Sequence, residues 1–238
     1  MNDRWYQDPV RQLIVCLMAL WLAGCGAQTH SAQPNPVAPS SSPTTSPTTM
    51  PSTAPVNPAN IKRVRSALPA GYEIADVTGP LSAAGLWGFG SGWTAAPPHC
   101  ATLADPAPAD PGARGYSASG PGGTLYVVVA VPAQGVPDVG LLGDCARWTM
   151  TFAHTTGEVT LSDAPRIDGA DTIAMTVSTR MVVESGTETD GQAVTAQAYL
   201  DGHVAFVTLI TDPGSPHPPL DSRVVGDLLV ATVSALRG

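Results

Sequence analysis

The chain has 238 residues, of which 43% are hydrophobic and 13% are charged, and its formal net charge is -8 at pH 7. This acidic balance argues against nucleic acid as a partner, because phosphates are bound by clustered basic side chains. It also argues against docking on anionic lipid by charge alone.

The first 24 residues have the pattern of an export signal. Arg4 and Arg11 precede an apolar run over residues 13–23. At about eleven residues this run is too short to span a bilayer, but it fits the core of a secretory signal. We therefore predict that residues 1–24 are a signal peptide that is removed.

The apolar run ends in the sequence LAGC, residues 22–25, which resembles the lipobox of bacterial lipoproteins. In that family the cysteine thiol receives a diacylglycerol, and cleavage leaves the cysteine as the acylated N-terminus. The resemblance implies that Cys25 is the lipidation site and that the protein is anchored in the membrane at the extracytoplasmic face of the cell. Two or three acyl chains hold a protein stably on a membrane, whereas one chain does not.

Residues 25–58 are dominated by Pro, Ser, Thr and Ala and contain no aromatic residue. A segment of this composition cannot bury enough apolar surface to offset the entropy of ordering it. We therefore predict a disordered tether that lifts the following domain away from the membrane. Its Thr-Pro clusters fit both an O-glycosylated stalk and an unmodified linker.

The remaining residues, 59–238, are numerous enough for one domain with its own core. A short helix is predicted over residues 60–68, with Asn60 as its N-cap, and a strand over residues 72–77. Residues 84–110 are rich in Gly and Pro and are predicted to be irregular.

Residues 124–131, TLYVVVAV, are apolar on both faces and β-branched, which predicts a central strand that is covered on both sides. Residues 137–148 are predicted to form a helix that carries Cys145.

The C-terminal third has the pattern of an antiparallel meander. Residues 171–184, 192–200 and 203–210 are strand-like, and a polar turn joins the first two. Asp201-Gly202 joins the last two, and this dipeptide favours a hairpin with a type I′ turn.

A helix is predicted over residues 222–236, because six residues at helical spacing form one stripe: Val225, Leu228, Leu229, Thr232, Val233 and Leu236. Together these elements predict an α+β fold, in which an antiparallel sheet with a C-terminal meander is packed by helices mainly on one face.

Cys100 and Cys145 are the two cysteines that remain in the exported domain. Disulfides persist in oxidising compartments, so we predict that these two residues are bonded to each other. Closing a loop of about 45 residues stabilises a fold by roughly 3–4 kcal/mol in the chain-entropy model.

The lipobox, the tether, Trp93, the two cysteines and the segment AYLDGHVAFVTLITDPGSPHP together resemble a family of exported mycobacterial domains of unknown function. More loosely, the chain is similar to the extracellular sensor domain of the mycobacterial kinase PknH. The latter resemblance implies an α+β domain with a ligand-sized cleft. It supplies no catalytic residues.

No catalytic residue, metal ligand or cofactor is predicted. Asp212, Ser215 and His217 lie close together in one loop, but a triad needs its base to bond both the nucleophile and the acid. Residues this close in a proline-stiffened loop rarely point at one another in that way. A cell-wall hydrolase that uses Ser215 with His217, His203 or His154 is the alternative function.

Four aromatic residues near Gly-rich segments, Trp87, Phe89, Trp93 and Tyr116, fit two interpretations. They line a groove for an apolar or glycan ligand, or they close one end of the core. The function predicted from the sequence is therefore a non-enzymatic, lipid-anchored protein of the cell envelope. Its domain is expected to bind a small or lipid-like ligand, or an envelope protein.

Overall fold

The computed structural model describes residues 55–238. The predicted signal peptide, Cys25 and most of the predicted tether lie outside these residues, so export and lipidation stay predictions. Within residues 55–238, none of the helices combines the length and the apolarity needed to cross a membrane.

The described part of the chain is rich in strands. Four α-helices are α1 (Ala83–Leu86), α2 (Ala101–Ala104), α3 (Val139–Asp144) and α4 (Arg223–Arg237), and 3₁₀ helices cover Pro58–Ala67 and Pro98–Cys100. The strands are β1 (Glu73–Thr78), β2 (Thr94–Ala96), β3 (Arg114–Gly120), β4 (Gly123–Ala130), β5 (Arg147–Phe152), β6 (Thr155–Ser162), β7 (Asp171–Val182), β8 (Glu188–Leu200) and β9 (His203–Thr211).

The nine strands form one antiparallel sheet in the order β1-β3-β4-β9-β8-β7-β6-β5-β2. The predicted meander is confirmed, because β7 pairs with β8 and β8 pairs with β9. In the register, Ala196 of β8 lies between Ala174 of β7 and Val207 of β9. Cross-strand pairs of this kind are the unit of stabilisation in an antiparallel sheet.

The Asp201-Gly202 hairpin forms as expected, since Leu200 pairs directly with His203. Its turn differs from the predicted type I′. Gly202 has a φ of +67°, whereas Asp201 is not among the described residues with positive φ. Only the glycine therefore supplies the left-handed conformation that this turn needs.

The central strand predicted from residues 124–131 is confirmed as β4, which lies between β3 and β9. Its residues alternate between two cores. Val127 and Val129 pack with α4 and the first 3₁₀ helix, whereas Val128 and Ala130 pack with α1 and α2. Helical segments thus lie on both faces of the sheet, which corrects the expectation of helices mainly on one face.

Helix α4 forms where the sequence predicts it, and all six residues of the predicted stripe are buried. The first helix differs in type and in its start. It is a 3₁₀ helix that begins at Pro58, and Asn57 Oδ1 accepts a hydrogen bond from Ala59 N at 3.0 Å. Asn57, rather than Asn60, is therefore the N-cap, because Pro fits the first helical position, where no N–H is needed.

Four strands, β2, β3, β5 and β6, are not anticipated by the sequence analysis, and β2 lies with α2 and most of α1 in the stretch 84–110 that is predicted to be irregular. The helix predicted over residues 137–148 is shorter, since α3 ends at Asp144 and β5 begins at Arg147. In β5 the side chains of Trp148 and Met150 are buried, while Arg147, Thr149 and Thr151 are exposed. This alternation of buried and exposed side chains is typical of a strand.

Candidate functional site

A cavity of about 390 Å³ lies between the end of α2, the loop after β4, the start of α3 and the end of β8. This volume falls within the range typical of small-molecule sites. The residues that line it are Trp93, Ala101, Thr102, Asp105, Pro106, Pro108, Ala133, Gln134, Gly135, Val136, Pro137, Asp138, Leu141 and Tyr199.

The disulfide predicted from the sequence holds the helical segments beside this cavity together. Cys100 and Cys145 are bonded, and both are completely buried. The bond joins the residue that precedes α2 to the residue that follows α3. The loop after β4 is attached to the same region, because Ala133 N donates to Pro106 O at 2.9 Å.

Asp105, which follows α2, has a side-chain oxygen without a hydrogen-bond partner among the described residues. Its Oδ1 atom is buried and accepts no hydrogen bond from the described residues, although the residue as a whole is half-buried. Burial raises the pKa of the Asp105 carboxyl to about 6, because desolvation disfavours the charged form. At neutral pH the wall therefore carries an ionised acceptor without a donor.

The hydroxyl of Tyr199, which also lines the cavity, already has a hydrogen-bond partner. Its Oη donates to Gln197 Oε1 at 3.2 Å, and Gln197 Nε2 donates to Leu103 O at 2.7 Å. Burial raises the pKa of Tyr199 above its usual range. The phenol is therefore neutral, and it contributes its ring and a satisfied hydroxyl to the wall.

The four aromatic residues of the predicted groove do not all come together. Trp87, Phe89 and Trp93 belong to one core cluster, and Tyr116 belongs to the cluster on the opposite face of the sheet. Trp93 alone of the four lines the cavity. The ring of Tyr116 is instead covered by Arg65, whose guanidinium carbon lies 4.8 Å from the ring centroid.

Trp87 and Phe89 serve the core. Trp87 Nε1 donates to the buried hydroxyl of Thr195 at 3.0 Å. The ring of Phe89 occupies the space beside Gly157, where an added Cβ would lie 2.6 Å from the ring. The surroundings of these two residues fit the interpretation that they close one end of the core.

The residues that matter most for the cavity, Asp105 and Tyr199, are not among the sequence candidates. One signal was available, since Asp105 is the only charged residue between positions 101 and 109. A single carboxyl in an apolar segment next to a buried cysteine is a candidate for an unusual environment. For Tyr199 no such signal exists, because it lies within an ordinary strand pattern.

Comparison with known proteins gives the family. Residues 57–237 match a family described as a domain of unknown function, DUF5642. The chain belongs to this family. The chain is also similar to the X-ray structure of an uncharacterised protein from Mycobacterium smegmatis, the Rv0999 ortholog, with a TM-score of 0.58 and 22% identity over 77% of this chain and 98% of that chain. A search of curated proteins finds no match.

At 22% identity the likeness to the mycobacterial structure shows the fold alone. The predicted resemblance to mycobacterial domains of unknown function is confirmed at that level, whereas similarity to the kinase sensor domain stays a prediction. The DUF5642 description names no activity, so the function has to be argued from the residues of the cavity.

The loop with Asp212, Ser215 and His217 in this DUF5642 domain is built from local turns. Ser215 Oγ accepts from the backbone N–H of His217 at 3.1 Å, and Asp212 Oδ1 accepts from the backbone N–H of Gly214 at 2.9 Å. Both side chains thus bond the backbone two residues ahead, and His217 is exposed. These bonds are typical of turns and do not couple a nucleophile to a base.

His99 lies beside the disulfide, and the ligand atoms of His99, Cys100 and Cys145 are within 4.8 Å of one another. Metal ions bind cysteine as the thiolate. Since both sulfurs are bonded to each other here, the three residues do not form a metal site in the oxidised protein.

A second concavity, of about 790 Å³, lies over the exposed polar residues of β5–β8. Its charged residues are paired, since Arg180 contacts Asp190 at 3.1 Å and Glu158 contacts Arg147, outside the concavity, at 3.1 Å. These side chains are largely exposed. The smaller cavity is the better candidate site in this DUF5642 domain, because Asp105, one of the buried polar groups that no described residue pairs, lines it.

Proposed function

We propose that this chain is a lipid-anchored protein of the cell envelope whose DUF5642 domain binds a small ligand in the Asp105 cavity, without catalysing a reaction. The observation that carries the proposal is Asp105, a half-buried carboxyl that lines the cavity and whose Oδ1 atom no described residue pairs. Leaving a buried polar atom unpaired costs about 1–3 kcal/mol. A bound ligand that donates a hydrogen bond to the accessible part of this carboxyl offsets some of its desolvation.

The rest of the wall supports a ligand with an apolar body. Trp93, Leu141 and Tyr199 offer apolar and aromatic surface, and several prolines stiffen the loops around them. A volume of about 390 Å³ is at the lower end of the usual range for ligand sites. The cavity therefore suits one small molecule better than a lipid with several acyl chains.

The proposed lipid anchor is inferred from the sequence LAGC at residues 22–25. Replacing Cys25 by Ser removes the thiol that the lipoprotein pathway acylates. Cys16→Ser, within the predicted signal peptide, is the matched control. In cells fed labelled fatty acid, we expect the label and membrane association to be lost in Cys25→Ser and retained in Cys16→Ser. A Cys25→Ser protein that stays on the membrane contradicts the anchor.

The cavity is tested by native mass spectrometry of the full chain, purified from its native host. We expect a small molecule to co-purify with the wild type. Ala133→Trp places a bulky side chain on the wall of the cavity, and Ala146→Trp places one at an exposed position that does not line it. The adduct should be absent in the first variant and present in the second. A wild-type chain without an adduct, or an adduct that persists in Ala133→Trp, contradicts ligand binding.

A further inference from the structure

The lining of the Asp105 cavity is acidic. Two carboxyl groups, Asp105 and Asp138, belong to it, and no Lys, Arg or His is among its described lining residues. The two aromatic rings of the wall, Trp93 and Tyr199, present π-systems that attract cations. Both features favour a positively charged ligand.

The two carboxyl groups differ in whether their Oδ1 atoms already accept a hydrogen bond. Asp138 Oδ1 caps α3 by accepting from Leu141 N at 2.7 Å, and the residue is exposed. Asp105 Oδ1 is buried and unpaired. An ionised carboxylate only accepts hydrogen bonds, so the partner of Asp105 has to be a donor.

The charge of the ligand follows from these groups. A carboxylate or phosphate in the cavity would meet two like charges and no base, and like charges at close range repel. A neutral hydroxyl would donate a hydrogen bond to the carboxylate but would leave its charge uncompensated. A protonated amine would donate a hydrogen bond and also add the Coulomb attraction between opposite charges.

Resting on the proposed function of this cavity, we propose that its ligand carries a protonated amine on an apolar body. The ammonium group donates to the carboxylate of Asp105, and the apolar body packs against Trp93, Leu141 and Tyr199. This assignment narrows the ligand from any small apolar molecule to an amphipathic amine, and it excludes fatty acids.

Three probes of equal chain length test the assignment: hexylammonium, hexanol and hexanoate. They are titrated at pH 7.5 into the ¹⁵N-labelled full chain, and the indole N–H signal of Trp93 is followed by NMR. We expect hexylammonium to bind about tenfold or more tightly than hexanol, because the ammonium adds Coulomb attraction to its hydrogen bond with the carboxylate. Hexanoate should bind most weakly.

Two variants locate the effect. Asp105→Asn keeps the shape of the side chain and should reduce the preference for hexylammonium over hexanol to about twofold or less, since the buried charge is gone. Asp138→Asn is the matched control, because it removes a carboxyl of the same wall and Asn also serves as an N-cap. It should retain most of the preference.

The outcomes separate the two proposals. If hexanol binds as tightly as hexylammonium and Ala133→Trp blocks both, the amine assignment is overturned while ligand binding in the cavity stands. A preference for hexylammonium that survives Asp105→Asn also overturns the assignment. If none of the probes binds, the assignment fails, and the co-purification experiment decides on ligand binding by itself.

Discussion

Asp105→Asn is expected to stabilise the domain at neutral pH, although it removes the group that the proposed ligand needs. Burial raises the pKa of this carboxyl from 3.8 to about 6. One pKa unit corresponds to about 1.4 kcal/mol, so the full shift corresponds to about 3 kcal/mol. Because Asp105 is only half-buried, solvent screening reduces the effect, and we expect about 1 kcal/mol.

The sign follows from proton binding. Between about pH 4 and pH 6 the folded state binds more protons at Asp105 than the unfolded state does, because the pKa is higher in the folded protein. The stability of the wild type therefore falls as the pH rises through this window, and the loss is complete above it. Asn does not titrate, so the Asp105→Asn variant does not suffer this loss.

The assay is urea unfolding of the full chain at intervals from pH 3.5 to pH 8. The variant should exceed the wild type by about 1 kcal/mol at pH 7.5, and the two curves should converge near pH 3.5. Asp138→Asn should differ from the wild type by less than about 0.5 kcal/mol, because its cap is preserved. An Asp105→Asn variant that is less stable at pH 7.5, or a difference that is constant with pH, would refute the reasoning.

Three further predictions concern what holds the fold together. The double variant Cys100→Ala/Cys145→Ala, compared with the oxidised wild type, should lose about 4 kcal/mol, because it releases a loop with a sequence separation of 45 residues; an unchanged urea midpoint contradicts this. Thr195→Val should cost about 1–3 kcal/mol, since it removes the acceptor of Trp87 Nε1, and the near-UV circular dichroism of the indole should change. Leu229→Ala, at a completely buried position of α4, should lower the free energy of unfolding by about 2–5 kcal/mol, whereas Val230→Ala, exposed on the same helix, should have little effect.

Much of the fold could be predicted because the relevant signals are local. The runs of β4 and β9 are apolar on both faces and rich in β-branched residues, as in central strands, and the stripe of α4 has the period of a helix. Asp201-Gly202 marked the hairpin between β8 and β9. The disulfide followed from counting cysteines in a chain expected to be exported.

Other elements lacked such signals. β3, with the sequence RGYSASG, consists mostly of small and polar residues, and it is a strand because β1 and β4 pair with it on either side. The distribution of helices over both faces was also not visible. It depends on which residues of the central strands face which helix, and this is decided only when the chain folds.

The sequence alone predicts a lipobox, an antiparallel meander with a C-terminal helix, and a disulfide. Motif, periodicity and cysteine count suffice for these predictions, because none of them requires knowing which distant residues meet in the fold. The candidate site was decided by the tertiary structure. Asp105 becomes distinctive only in the folded chain, where Tyr199, far away in sequence, and the loop after β4 line the same cavity. Desolvation, which raises the pKa of this carboxyl, depends on neighbours in space, and neighbours in space are not written in the local sequence.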